Sequence, residues 1–275
     1  MDLSIIIVNY NSKDFLYNCV RSITENLHEL RYEIIVVDNM SSDDSYRRCK
    51  GIGDSRICCI QAGQNLGFSK ANNLGASHAT GKILHFLNPD TQIGPTMGND
   101  YKRVLSDMNK GNSAVYINPL QNRDGSVCYG RNALPGTMNW IKYYLCREKS
   151  KWYYIGASII ISMDDFVKIG KWNERIFMYY EDADIFCRIN RCGIRSVELP
   201  SVIYHYGGGT SEHSFTSLQR EVLIQKGMRI YRDSNNLSWL DFWCWQVLVV
   251  LTFCRRPKRM WWQIKAIYHS LKNDA

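Results

Sequence analysis

Short, continuous apolar runs that end in polar residues recur along the first third of the chain, and this repeat constrains the fold more than any other feature. The runs occupy residues 3–8, 33–37, 57–61 and 82–87, and stretches compatible with helices separate them. Strands buried on both faces have such uninterrupted apolar sequences, and parallel strands need a crossover that is usually a helix. The pattern therefore predicts an α/β fold with a mostly parallel central sheet and helices on both faces.

Polar residues follow the predicted strands: Asn9, Asp38, Asn65 and Asp90. Because ligands of open α/β sheets bind beyond the carboxyl ends of the strands, we expect these four residues to lie near a binding site. The first loop, residues 9–12, lacks the Gly-x-Gly-x-x-Gly pattern with which dinucleotide-binding domains hold a pyrophosphate. A nicotinamide-dependent dehydrogenase is therefore disfavoured.

The second half of the chain is less regular. A segment rich in glycine, asparagine and arginine runs over 118–132, and an aromatic and basic segment follows it to about residue 153. Strands are predicted again at 156–162 and 202–205, with a helix from about 181 to 191 between them. For 275 residues, 45% of them hydrophobic, we expect one main domain with an appendage.

Two carboxylate positions have both a structural and a chemical interpretation. Asp90 follows Pro89 after a strand, where it could cap a helix or bind a divalent cation that also bridges phosphates. Asp182 lies between Glu181 and Asp184 at the predicted start of a helix, where acids favour the helix dipole. Adjacent carboxylates also raise one another's pKa, which suits a general base near neutral pH.

The remaining candidate residues and the cysteines indicate less about the class of function. Asp38 could cap a helix or contact a nucleotide, and His205, before three glycines, could be a core histidine or a metal ligand. The ten cysteines include no Cys-x-x-Cys pair, which favours reduced thiols over a zinc site or a disulfide scaffold. Residues 1–8 lack the features of a signal peptide, so a cytoplasmic location is expected.

The order of these motifs resembles that of the family 2 glycosyltransferases with a GT-A fold. The similarity is greatest to the rhamnosyltransferase-like branch that builds bacterial O-antigen and capsule. The matching stretches are residues 5–11, 36–43, 65–75, 86–90, 156–157, 177–184 and His205. The resemblance implies a GT-A catalytic domain over 1–211, divided into a nucleotide-sugar-binding half at 1–117 and an acceptor half at 118–211.

The resemblance also implies a role for each matching residue. Asp182 would be the catalytic base with Glu181 supporting it, and Asp90 with His205 would bind Mn²⁺ or Mg²⁺ on the donor diphosphate. The nucleotide sugar would be bound by Val8, Asn9, Tyr10, Asp38, Asn65, Gly67, Phe68, Asn72, Asn73, Asn88 and Asp90.

The acceptor side departs from the family pattern. Where the family commonly has Gly-Gly-Phe-Asp-Glu, this chain has Gly-Lys-Trp-Asn-Glu at 170–174. The expected acceptor-binding residues are Gly156, Ala157, Trp172, Asn173 and Glu174, with Trp172 as a platform on which a sugar stacks. The resemblance implies an inverting transfer from dTDP-rhamnose, or a UDP- or GDP-sugar, to a polyprenyl-diphosphate-linked saccharide.

Residues 212–275 are expected to form a helical appendage. Five of the eight tryptophans lie between Trp239 and Trp262, and six Lys or Arg without an acid lie between Arg255 and Asn273. The apolar run at 242–254 is too short to span a bilayer comfortably, which favours a helix at a membrane interface. The family resemblance implies that this interface is the inner face of the bacterial cell membrane. The alternative is a helix packed on the catalytic domain or in a dimer.

Other function classes fit the sequence less well. A nucleotidyltransferase would need a glycine-rich loop with Arg and Lys after the first strand, which residues 9–12 do not provide. The basic, aromatic tail could belong to a nucleic-acid-binding protein, but its long apolar run suits lipid better than phosphate tracking. We therefore expect no nucleic-acid partner. A catalytically silent family member is disfavoured because Asp90, Asp182 and His205 are intact.

Overall fold

A computed structural model describes residues 1–145, 152–207 and 215–252, together with residues 261, 265 and 267. The strands are β1 Leu3–Asn9, β2 Tyr32–Asp38, β3 Ile57–Gln61, β4 Ile83–Leu87, β5 Thr91–Gln92, β6 Ala114–Ile117, β7 Leu120–Gln121, β8 Val127–Cys128, β9 Arg131–Ala133, β10 Trp152–Tyr154, β11 Ser158–Ser162, β12 Arg195–Glu198 and β13 Ile203–His205. The helices are α1 Asp14–Asn26, α2 Ser45–Lys50, α3 Phe68–His78, α4 Met97–Asn109, α5 Thr137–Tyr144, α6 Met163–Lys168, α7 Glu181–Arg191, α8 Ser217–Asn235 and α9 Trp239–Thr252.

Seven strands form the central sheet in the order β12-β6-β11-β4-β1-β2-β3. Strands β1, β2, β3 and β4 are mutually parallel, as are β6 and β12. Strand β11 is antiparallel to both of its neighbours, β4 and β6. The predicted mixed α/β architecture with a mostly parallel sheet is confirmed, with one reversed strand that the sequence pattern did not indicate.

The sheet has an apolar core on each face. Ile5 and Ile7 point into one core and Ile6 into the other, and all three are fully buried. This is the two-sided burial that an uninterrupted run of β-branched residues indicates. Burial of each such side chain contributes about 1.5–3 kcal/mol, so the strands hold their carboxyl ends in a fixed frame.

A second, smaller sheet lies beside the end of β4. Its order is β5-β13-β7-β8, with β13 antiparallel to β5 and parallel to β7. Strand β5 begins directly after Asp90, and His205 pairs with Thr91 across the sheet. Two residues far apart in the chain thereby become neighbours.

Helices α8 and α9 follow the second half of the sheet. Helix α8 begins with a capping box in which Thr216 and Gln219 each satisfy the other's backbone N–H. Phe242 and Trp245 of α9 are buried and form a small cluster with Met228 of α8. This packing agrees with the alternative prediction for the tail, a helix packed on the catalytic domain. Other side chains of α9 are exposed.

Within the described part of the chain, no helix is long and apolar enough to cross a bilayer. The basic residues Arg255, Arg256, Lys258 and Arg259 lie outside the described residues, as do the expected domain boundary at 211 and the glycines at 208 and 209.

Candidate active site

A cleft of about 290 Å³ lies at the carboxyl edge of the central sheet. It collects eleven of the residues expected at the site: Val8, Tyr10, Asn65, Gly67, Phe68, Asn88, Asp90, Gly156, Glu181, Asp182 and His205. They come from the ends of β1, β4 and β13, from the loops before α3 and β11, and from the starts of α3 and α7. The position agrees with the rule that ligands bind beyond the carboxyl ends of parallel strands.

Asp90 and His205 form a pair at one side of the cleft. His205 Nε2 lies 3.6 Å from Asp90 Oδ1, and both side chains are largely buried. The backbone fixes the pair, because the Tyr206 N–H donates a hydrogen bond of 2.9 Å to the Asp90 carbonyl. A carboxylate oxygen and an imidazole nitrogen are both donors that divalent metals accept.

These two side chains fit a metal that is shared with a ligand. Among the described residues no group of three or more His, Cys, Asp or Glu side chains could hold an ion alone. Mg²⁺ and related cations commonly take only one or two protein carboxylates and complete their coordination with phosphate oxygens and water. The donor set at Asp90 and His205 therefore suits a metal that arrives with a diphosphate.

Glu181 and Asp182 open α7 and face the same cleft. Burial raises the pKa of both carboxyl groups, and the neighbouring Asp182 charge raises that of Glu181 further. Hydrogen bonds from the backbone N–H groups of Ala183 and Gly156 partly offset the effect at Asp182. Glu181 Oε2 is buried without a hydrogen-bond partner among the described residues. The two groups therefore hold protons at higher pH than ordinary carboxyls do.

Gly67 shapes the opposite wall of the cleft. Its φ is 78°, and a Cβ there would lie 2.5 Å from the Phe177 carbonyl oxygen. The next residue, Phe68, donates its N–H to the same carbonyl at 2.7 Å. Glycine thus allows the segment before α7 to approach the start of α3 closely, which joins the two halves of the cleft.

Asn9 and Asp38 lie beneath the cleft rather than in its wall. The buried Asn9 side chain donates to Asp38 Oδ1 at 2.8 Å and to Ser45 Oγ at 2.9 Å. Asp38 also accepts a bond of 3.3 Å from the Ser41 N–H. Both side chains were expected to contact the nucleotide directly. In the structure both side chains are buried and hydrogen-bonded to the loop after β2, and their contact with a nucleotide stays a prediction.

Three residues expected on the acceptor side contact other parts of the chain and do not line the cleft. Trp172 is only 1% exposed, and its ring packs edge-on against Phe68 and Phe86. The expectation that Trp172 is a sugar-stacking platform is wrong for this structure, because neither ring face is accessible. Asn173 donates to Ser234 Oγ at 3.0 Å, and Glu174 accepts a bond of 2.9 Å from Asn73.

The remaining predicted residues also lie outside the cleft wall. Asn72 is buried and donates to the Phe68 carbonyl at 3.0 Å, which stabilises the first turn of α3. Asn73 Nδ2 donates a hydrogen bond of 3.0 Å to the Trp172 carbonyl, and Asn73 Oδ1 accepts one of 3.1 Å from the Trp172 N–H. The buried Ala157 carbonyl accepts the Asn88 N–H at 2.9 Å. Asn72 and Ala157 thus contact the lining residues Phe68 and Asn88, while Asn73 holds the segment around Trp172.

Sequence reasoning missed six lining residues: Asn39, Pro89, Ile155, Met178, Tyr179 and Phe215. Asn39 carried a usable signal, because it directly follows Asp38 at the end of a strand. Its Oδ1 accepts the Leu66 N–H at 2.7 Å and its Nδ2 donates to Asn65 at 2.9 Å. Ile155 and Phe215 carried none, since they lie in irregular segments whose position depends on tertiary packing.

An α/β domain with polar side chains gathered in a cleft at the carboxyl edge of its sheet is typical of nucleotide-binding enzymes. The chain belongs to glycosyl transferase family 2, whose model matches residues 4–170. The expected family is thereby confirmed. The match ends before α7, so the acid pair and the C-terminal helices lie beyond it.

Two curated relatives illustrate the family. The chain is 29% identical over 201 residues to the low-salt glycan biosynthesis hexosyltransferase Agl10 of Haloferax volcanii, covering 69% of this chain and 62% of the relative. It is 38% identical over 88 residues to the UDP-Glc:alpha-D-GlcNAc-diphosphoundecaprenol beta-1,3-glucosyltransferase WfaP of Escherichia coli, covering 32% of this chain and 35% of the relative. The chain thus spans less than two thirds of either relative.

Solved structures share the fold at low sequence identity. The structure of S. aureus TarS 1-349 in complex with UDP-GlcNAc superposes with a TM-score of 0.60 at 17% identity, covering 85% of this chain and 66% of that one. The mannosyltransferase PcManGT from Pyrobaculum calidifontis, in complex with GDP-Man and Mn²⁺, superposes with a TM-score of 0.62 at 13% identity, covering 99% and 88%. These similarities establish a GT-A-like fold.

Proposed function

We propose that this protein transfers a sugar, with inversion, from a nucleoside diphosphate donor to a lipid-linked saccharide. One observation carries the proposal: the acid pair Glu181–Asp182 and the Asp90–His205 pair line the same cleft. Sugar transfer needs a base for the acceptor hydroxyl and a positive charge for the departing diphosphate. The Glu181–Asp182 pair would supply the base, and a cation held by the Asp90–His205 pair would supply the positive charge.

The donor nucleoside occupies the part of the cleft beyond β1 and β2 in this proposal. Val8, Tyr10 and Asn65 line that part, and Asn39 stands beside Asn65. Asn9 and Asp38 act indirectly, by holding the loop after β2 in place. Gly67 and Phe68 complete the wall, and Asn88 adds an amide next to the metal-binding carboxylate.

Asp90 and His205 would hold Mn²⁺ or Mg²⁺ on the donor diphosphate. When bound, such an ion neutralises the negative charge that develops on the leaving diphosphate. Neighbours in the solved structures support a divalent ion, since GalNAc-T7 was crystallised with UDP, GalNAc and Mn²⁺. The chain's own contribution is the β5–β13 pairing, which holds the carboxylate and the imidazole side by side.

Asp182 takes the proton from the acceptor hydroxyl, and Glu181 assists it. Because burial and then the Asp182 charge raise the pKa of Glu181 further than burial raises that of Asp182, the pair favours a state in which Glu181 keeps its proton and Asp182 is ionised. As the proton moves to Asp182, the acceptor oxygen forms a bond to the anomeric carbon of the donor. The bond from that carbon to the diphosphate breaks, and the diphosphate leaves with the electron pair.

The donor sugar is the least constrained part of the proposal. The motif resemblance favours L-rhamnose from dTDP-rhamnose, and that remains a prediction. The names of the curated relatives describe a hexosyltransferase and a glucosyltransferase that uses UDP-Glc. We therefore propose a hexose donor class, with dTDP-rhamnose and UDP-glucose as the first two candidates.

The acceptor is proposed to be a polyprenyl-diphosphate-linked saccharide in surface-polysaccharide assembly. WfaP is named for diphosphoundecaprenol-linked GlcNAc, and a relative from Klebsiella pneumoniae, 29% identical over 130 residues, is named as an undecaprenyl-phosphate transferase. Such lipids lie in a membrane. In α9, Leu240 is 76% exposed and Val247 57% exposed. We propose that 212–275 contacts the inner face of the cell membrane through this surface.

Titration calorimetry of UDP, dTDP and GDP, each with and without Mn²⁺, tests the donor site. We expect one nucleotide to bind better with the metal, and Asp90→Ala to remove the metal effect while leaving weak binding. Asp164→Ala on α6 is the matched control, because that carboxylate is exposed and outside the cleft. Metal-independent binding in both variants and the wild type would contradict the metal role.

Transfer itself is tested with radiolabelled or fluorescent product analysis. UDP-glucose and dTDP-rhamnose serve as donors, and a synthetic lipid carrying GlcNAc through a diphosphate serves as acceptor. Transfer from dTDP-rhamnose alone would support the rhamnosyltransferase branch, and transfer from UDP-glucose alone would exclude it. A folded protein that binds a nucleoside diphosphate but consumes neither donor would contradict the proposed donor class.

A further inference from the structure

The acid pair follows a turn in which two successive tyrosines adopt the left-handed conformation. Tyr179 has a φ of 67° and Tyr180 a φ of 72°. This region is unfavourable for bulky L-residues, so such a turn persists only where surrounding structure holds it. The turn determines where α7 begins, because the Asp184 N–H donates to the Tyr180 carbonyl at 2.9 Å. Whatever holds the turn therefore positions Glu181 and Asp182.

Helix α8 lies directly against this turn. At Gly227 an added Cβ would lie 2.3 Å from the Tyr179 carbonyl oxygen and 3.2 Å from the Tyr179 carbonyl carbon. It would also lie 3.4 Å from Tyr180 Cβ. No side chain fits at 2.3 Å, since the two nearest atoms are backbone atoms of Tyr179. Glycine is required here by the approach of the helix to the turn, despite its low helix propensity.

The C-terminal helices also enclose the Tyr180 side chain. The Tyr180 ring centroid lies 6.2 Å from that of Tyr231 on α8 and 6.0 Å from that of Trp245 on α9. Tilted and edge-on arrangements at these distances are favourable for aromatic pairs. Two helices beyond the matched family domain thus contact the turn that precedes the acids.

A third contact joins α8 to the body of α7. The Asn235 side chain donates to Asp184 Oδ1 at 2.9 Å, and Arg191 donates to Asn235 Oδ1 at 3.1 Å. Asp184 is fully buried and also accepts a bond of 2.9 Å from Arg188 Nε. Since the Asn235–Asp184 bond is buried, displacing α8 would leave the Asp184 carboxylate without that donor. Helix α8 is consequently fixed to α7 on both sides of the acid pair.

We propose that α8 positions the acid pair for transfer, with Gly227 as the positioning residue at the closest approach. This inference rests on the proposed function, in which Glu181 and Asp182 act on the acceptor hydroxyl. It assigns the C-terminal region a part in the reaction, in addition to any contact with lipid. Displacement of reacting groups by about 1 Å can lower a rate by about 10²-fold.

The test compares Gly227→Ala with Gly98→Ala. Gly98 is also a helical glycine, in α4, but an added Cβ there meets only Leu27 Cδ2 at 4.0 Å. We expect Gly227→Ala to lower kcat by about 10- to 100-fold. The affinity for the nucleoside diphosphate with Mn²⁺ should stay within about twofold, because its proposed contacts lie on other elements. Gly98→Ala should leave both quantities unchanged.

A second variant covers the case in which Gly227→Ala does not fold. Trp245→Leu removes the ring against Tyr180 but keeps an apolar side chain, and we expect a smaller fall in kcat with unchanged nucleotide affinity. The pH dependence of kcat is measured for every folded variant, because a displaced acid pair should shift its acidic limb.

Three outcomes would contradict the inference. An active wild type whose folded variants keep both kcat and the pH profile contradicts it. A parallel loss of kcat and nucleotide affinity also contradicts it, because general loosening would explain both. A wild type that transfers no sugar contradicts the proposed function, and the inference with it.

Discussion

Asp182 is the residue on which the proposed chemistry depends most. We expect Asp182→Asn to lower kcat by about 10²–10⁴-fold, because the amide has the same shape but cannot accept the acceptor's proton. Nucleotide affinity, measured by titration calorimetry, should change little. Asp164→Asn on α6 is the matched control, since it removes an exposed carboxylate outside the cleft. An equal loss of transfer and of nucleotide binding in Asp182→Asn would contradict the assignment of the base.

Glu181 links the site to pH-dependent stability. Burial and the Asp182 charge raise its pKa in the folded state, so folding is penalised as pH rises from the ordinary carboxyl range through the raised value. Below the ordinary range the group is protonated in both states and the penalty vanishes. We expect Glu181→Gln to unfold at a higher temperature than the wild type at pH 8, with this gain lost near pH 4. Melting curves across that range check it, and a gain independent of pH would contradict it.

At the scale of elements, Trp172 shows how packing decides a role that residue type leaves open. Its ring lies between the start of α3 and strand β4, against Phe68 and Phe86. We expect Trp172→Ala to lower the free energy of unfolding by about 3–5 kcal/mol, measured by urea denaturation. Leu240→Ala, at a position 76% exposed, should change it by less than about 0.5 kcal/mol. Comparable effects of the two changes would contradict the burial of Trp172.

Strand pairing brings together Asp90 and His205, the proposed metal-binding pair, in the same way. The family resemblance implied that Asp90 and His205 share a metal, but no local pattern indicated the strand pairing that joins them, because the three-residue strand β13 is too short to predict a partner. The antiparallel pairing with β5 brings the two together. The sequence also did not indicate that β11 is antiparallel to its neighbours, because a buried apolar strand has the same sequence pattern in either orientation.

At the scale of the whole molecule, the exposed face of α9 is the proposed contact with lipid. We expect the double variant Leu240→Glu with Val247→Glu to lose most cosedimentation with anionic vesicles, while its melting temperature is kept. Both side chains are more than half exposed, so the change adds charge without opening the core. Val127→Glu with Val167→Glu, at exposed sites on β8 and α6, is the control. Undiminished cosedimentation of the α9 variant would contradict membrane contact through this face.

Deletion of residues after Ser238 would be a less specific test. It would also remove Phe242 and Trp245, which are buried against α8. Helix α8 in turn contacts α7 through Asn235 and Asp184, so only the double variant separates lipid contact from packing.

The sequence by itself determined the central strands, their mostly parallel arrangement, the family and the acids of the cleft. Those features depend on local periodicity and on short motifs, which the order of residues carries directly. Only the tertiary structure decided which strands pair to bring Asp90 beside His205, that Asp38 and Trp172 are buried, and that α8 packs on the turn before Glu181. Contacts of this kind join residues distant in the chain, and their formation depends on how all the elements pack together, which no local pattern records.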